Sequence, residues 1–134
     1  MDLTSSAELK LLVAAVIIGL VQLVLVTVAG AAGGRDLPWM LGPRDEARPL
    51  TGVPARLERA FGNFVETFPL FAAALIAALV AGKQGTLTYG GSVTYVIARA
   101  VYVPLYAAGV PVARTLVWTA SIIGLVMVIV AFFQ

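Results

Sequence analysis

The chain has 134 residues, 60% of them apolar and 12% charged, with a formal net charge of +2. A soluble domain carries roughly 25% charged residues, so this composition excludes a water-covered surface, and the small, dispersed positive charge excludes a nucleic-acid partner. Cys and His are both absent, which removes disulfides, thiolate nucleophiles, imidazole bases and the common zinc and haem sites; no metal is expected, and any thiol chemistry arrives with a substrate.

In chain order, the first element is a helix over 9–33. No charge interrupts Leu11 to Gly34, and about 24 helical residues reach about 36 Å, enough for a hydrocarbon core of roughly 30 Å. A cleavable signal peptide is the alternative, because Ala29 and Ala31 form a small-residue pair; the length of the segment and the acidic Asp2 and Glu8 ahead of it argue against that. Residues 34–53 are a polar loop holding Arg35, Asp36, Arg44, Asp45, Glu46 and Arg48 among Pro38, Pro43 and Pro49. A second helix is predicted over 54–82 and ends at the Gly82-Lys83-Gln84-Gly85 turn; a third covers 89–107, and Gly109 and Pro111 turn the chain into a fourth over 111–133. Short connections make neighbours antiparallel, so the expectation is an all-α, up-down bundle of four transmembrane helices in a single domain. Lys10 and Lys83 fall on one side, whereas Arg35, Arg44, Arg48, Arg56, Arg59 and Arg114 fall on the other. The positive-inside rule therefore puts the first loop in the cytoplasm and both termini outside it, across the inner membrane if the protein is bacterial.

Ionisable groups inside such helices cost at least ~2.5 kcal/mol near the centre and commonly mark function. Glu66 lies roughly 16 Å into the second helix, and Arg99 lies nearly as deep in the third, so antiparallel packing predicts that they pair. Arg59, Asn63 and Glu66 fall within about 60° of one another on the helical wheel, a polar stripe expected to face protein, with Arg56 and Glu58 at its mouth. Tyr95, Arg99, Tyr102 and Tyr106 recur on one face of the third helix. Two such stripes define a cytoplasm-facing cleft. Arg56, Arg59 and Arg114 near its mouth suit an anion, and Pro104, which removes one helical hydrogen bond, would kink the third helix and open the cleft.

The segment Glu58-Arg59-Ala60-Phe61-Gly62-Asn63-Phe64-Val65-Glu66-Thr67-Phe68-Pro69, followed by Ala98-Arg99, Tyr102, Tyr106 and Arg114, resembles the membrane-associated proteins in eicosanoid and glutathione metabolism (MAPEG). That family includes leukotriene C4 synthase and the microsomal glutathione transferases. The resemblance implies a homotrimer that binds glutathione, as cosubstrate, between subunits and conjugates it to lipophilic electrophiles. It also implies that Arg59, Asn63, Glu66, Arg99, Tyr102 and Tyr106 bind glutathione, while Arg114 stabilises its thiolate. Gly62 and Thr67 depart from the pattern, standing where some members have an arginine and a tyrosine, and Thr115 replaces a serine found after the arginine in others. A non-catalytic membrane protein that binds lipid or another protein through the same cleft is one alternative. A small multidrug transporter is another, although its essential carboxylate is expected in the first helix, which has none.

Overall fold

A computed structural model describes residues 6–134; Asp2, weighed above against a signal peptide, lies outside the described residues. The elements are α1 (Ala7–Ala32), α2 (Leu37–Leu41), α3 (Gly52–Val80), α4 (Thr86–Ala107) and α5 (Pro111–Phe132), and no strand occurs among the described residues. Three of them, α1, α3 and α5, are long and apolar enough to cross a membrane. Much of their apolar surface faces outward: Val13, Ile17, Leu20 and Val28 on α1 are each at least half exposed, which is the arrangement that lipid solvates and water does not.

Local chemistry explains the boundaries. Ser6 caps α1, its hydroxyl accepting from the Leu9 amide, and Gln84 in the α3–α4 turn donates to the same hydroxyl at 3.1 Å. Gly82 and Gly109 follow α3 and α4 with φ of 71° and 74°, a left-handed conformation that glycine adopts without strain. The 34–53 segment, expected to lack regular structure, contains α2. Asp36 caps it, accepting from the Trp39 amide at 3.0 Å, and Pro38 occupies its first turn, where no N–H is needed. Asp36 acts through its side-chain cap and Pro38 through its fixed φ, neither of which a search for apolar periodicity registers.

In the core, Phe71 on α3 stacks on Tyr95 of α4 with centroids 4.0 Å apart, and Leu75, Leu79, Leu125, Val128 and Ala15 close around them. The α4–α5 contact is closest at Gly91 and Gly124. A Cβ on Gly124 would lie 2.6 Å from the Gly91 carbonyl oxygen and 2.8 Å from the Tyr95 amide nitrogen, so only a missing side chain lets the two backbones touch.

Candidate functional site

The buried stripe of α3 runs through Ala60, Phe64, Thr67, Phe71 and Leu75, one helical face turned inward. The polar stripe runs beside it. Asn63, on the flank nearest α4, is half-buried, whereas Arg59 and Glu66 are exposed on the surface of the chain. The expectation that the whole stripe faces protein thus holds within one chain only for Asn63, because α4 covers one flank of it.

The predicted Glu66–Arg99 pair does not form. Arg99, 1% exposed, instead donates from Nη1 to the Asn63 Oδ1 at 2.8 Å, and Glu66 has no hydrogen-bond or ion-pair partner among the described residues. Depth alone suggested the pair; phase decides against it, since Glu66 points away from α4 by about 60° relative to Asn63. The Arg99 guanidinium lies 4.4 Å from the Tyr102 ring centroid and 5.7 Å from that of Phe64, while its Nε and Nη2 have no hydrogen-bond partner among the described residues.

From Arg99 the aromatic face of α4 leads to the Arg-rich end of the molecule. Tyr102 meets Tyr106 edge to face at 5.5 Å. Two cations flank Tyr106: Arg114 lies 4.5 Å from its ring centroid, and Arg59 lies 5.9 Å away with its Nε donating to the Tyr106 hydroxyl at 3.2 Å. Neither arginine has a carboxylate within 4.0 Å among the described residues. A cavity of about 180 Å3 opens beside them, lined by Asn63, Tyr102, Arg114, Thr115 and Trp118. Arg114 sits in the first turn of α5, where unpaired backbone N–H groups add positive potential, so this corner favours an anion.

Several expected participants are placed elsewhere. Arg56 donates to the Ala107 carbonyl at 2.9 Å and closes the end of α4, while Glu58 is bound to Arg35 at 2.6 Å. Tyr95 belongs to the core, its hydroxyl 2.9 Å from that of Thr67. This contact also accounts for Thr67, which is buried toward α4 and so lies away from the Arg59–Glu66 surface. The Thr115 hydroxyl donates to the Pro111 carbonyl at 3.0 Å, which leaves its lone pairs but not its proton for a ligand. Trp118 was missed; it lies one turn beyond Arg114 on the same face of α5, and that spacing was the available signal.

A scan against family models matches residues 11–133 to the MAPEG family. The chain belongs to that family. No curated protein and no solved structure gave a match. Membership agrees with a membrane protein whose chemistry is related to glutathione, and it bears on the two departures noted above. At Gly62 an added Cβ would meet nothing within 4 Å, so the missing arginine leaves open space rather than a filled contact. At Thr67 the hydroxyl is already engaged within the chain.

Proposed function

We propose that this MAPEG protein is a glutathione-dependent membrane transferase or peroxidase acting on lipophilic electrophiles. In this reading all four long helices cross the membrane, with the Arg-rich end in the cytoplasm, and three copies associate. The observation that carries it is the exposure of Arg59 and Glu66 on α3, a helix otherwise apolar enough to span. A carboxylate left against lipid at that depth costs at least ~2.5 kcal/mol, so the stripe calls for a polar ligand and a neighbouring subunit to cover it. Glutathione, with two carboxylates, an ammonium and two amides, complements Arg59, Glu66 and Asn63, with Arg99 orienting the Asn63 amide from behind.

The chemistry follows from what the chain lacks and what it supplies. With no cysteine, the nucleophilic sulfur comes from glutathione. Arg114 and the start of α5 favour the charged thiolate, and water accepts the proton. The thiolate then forms a carbon–sulfur bond to the electrophile, and the displaced group leaves with the electron pair of its former bond. Trp118 and the apolar outer surface give a lipophilic substrate its approach from the bilayer. Arg114 thus acts by electrostatics, without proton transfer.

The test uses purified full-length protein. Glutathione added at neutral pH should produce the ultraviolet absorbance of a thiolate, with conjugation of a chloronitrobenzene, and native mass spectrometry should show trimers. Arg114→Ala should abolish both signals yet retain most glutathione binding; Lys at this position should rescue partly, since it supplies charge without a planar fork. Binding without a thiolate would make the protein a binder, full activity in Arg114→Ala would assign activation to another group, and absence of binding would sink the proposal.

A further inference from the structure

On a different face of α4 from the arginine cluster lies a second cavity, about 280 Å3, formed by Ile17, Ile18, Val21 and Gln22 of α1 with Ala100, Val103 and Pro104 of α4. Its rim is apolar and outward-facing: Ile17 is 55% and Val21 51% exposed. Gln22, near the midpoint of α1, is the exception. It is 3% exposed, its Nε2 donates to the Ile18 carbonyl at a long 3.4 Å, and its Oε1 has no hydrogen-bond partner among the described residues. A buried amide oxygen left unpaired costs about 1–3 kcal/mol, and hydrocarbon contains nothing to pair it.

The other wall carries a backbone carbonyl that has lost its helical donor. Pro104 has no N–H, so the carbonyl four residues earlier loses its helical donor, and that residue is Ala100. Gln22, Ala100 and Pro104 line the same groove. An otherwise apolar groove running from the middle of α1 to the last turns of α4 thus carries two acceptors that ask for a hydrogen.

We propose that the α1–α4 groove binds a lipophilic molecule carrying a hydroxyl group, held by Gln22 and the Ala100 carbonyl. A hydroxyl is preferred for a physical reason. The terminal torsion of glutamine is broad and roughly two-fold, so its amide can present either oxygen or nitrogen, and a hydroxyl donates to one and accepts from the other. A pure hydrocarbon satisfies neither acceptor. A carboxylate, which only accepts, would face the Ala100 carbonyl unfavourably. The apolar body of the ligand lies along Ile17, Val21 and Val103. The proposal is independent of glutathione, because none of these residues lines the arginine cavity.

The experiment uses the full chain in phosphatidylcholine vesicles and two photoreactive probes, a long-chain primary alcohol bearing a diazirine on its chain and the methyl ether of that alcohol. The alcohol should label the α1 segment around Ile17 to Gln22 or the α4 segment around Ala100 to Pro104, saturably. The ether should label roughly three- to tenfold less, the loss of one hydrogen bond. Gln22→Leu should at least halve the preference of alcohol over ether, the Ala100 carbonyl keeping the remainder, while leaving helix content unchanged. Val21→Trp, which fills the groove from its exposed wall, should suppress both probes. Should Gln22→Leu fail to fold, the wild-type comparison and Val21→Trp decide. Equal labelling by alcohol and ether, a preference undiminished in Gln22→Leu, or no saturable labelling of either segment because a second copy covers the groove would each overturn the proposal.

Discussion

Arg99 offers the sharpest test of the packing around the arginine cavity. Its guanidinium is buried, has Asn63 as its side-chain hydrogen-bond partner, and leaves two nitrogens unpaired. Asn63→Leu removes a charge-assisted bond worth about 1.5–3 kcal/mol and strands the cation completely, so that variant should be destabilised by about that amount. Arg99→Leu removes the buried charge itself, and well-packed hydrophobic replacements of buried ions are often neutral or stabilising, so its cost should stay within about 1 kcal/mol. In the double variant nothing remains to be stranded, so its loss should fall below the sum of the singles by about 1.5–3 kcal/mol. Reversible denaturation in mixed micelles, followed by circular dichroism, measures all four corners of this cycle. A parallel cycle of Glu66→Gln with Arg99→Leu should be additive within about 0.5 kcal/mol, because these residues share no contact. Additivity in the first cycle, or coupling above 1 kcal/mol in the second, would refute the Asn63–Arg99 assignment.

Three further outcomes are expected. Gly124→Ala should destabilise by about 1–3 kcal/mol in the same denaturation assay, because its Cβ meets backbone atoms of α4 that cannot yield; Gly19→Ala should cost less, since its Cβ meets the Phe64 ring at 2.7 Å and a ring can turn. Gly62→Arg should fold at least as stably as wild type, because the site is open and glycine lowers helix stability by about 1 kcal/mol, and it should tighten glutathione binding in calorimetry by adding a cation beside Arg59 and Asn63. Asp36 has its carboxyl held below the usual range, first by the Trp39 N–H and then by Arg48. Its contribution to the order of α2 is present above the ordinary carboxylate pKa and lost as pH falls through the lowered one, so Trp39 fluorescence should change in that acid window and not in Asp36→Asn.

The membrane class, the long helices and the family were legible in the chain itself. A composition of 60% apolar residues, three long apolar helices and the motif from Glu58 to Pro69 are local or compositional signals, and such signals survive without knowledge of what touches what. The same holds for the inward face shared by Tyr95, Arg99 and Tyr102, which follows from helical period alone. Tertiary structure decided the partners. Counting along the helices puts Glu66 and Arg99 at similar depths, yet the rotation of α3 against α4 gives Arg99 to Asn63 and leaves Glu66 outside. Thr67 became a core residue because Tyr95 reached it, Arg56 became a cap because α4 ended beside it, and Trp118 entered the cavity because α5 packs against α3 and α4. Gln22 and Pro104, far apart in sequence, became walls of one groove only when α1 lay against α4. The physical reason is common to all of these. Period and hydropathy specify which face of a helix turns inward, but the rotation and offset between two helices come from close packing at points such as Gly91 and Gly124, and a difference of one residue in that offset exchanges one partner for another.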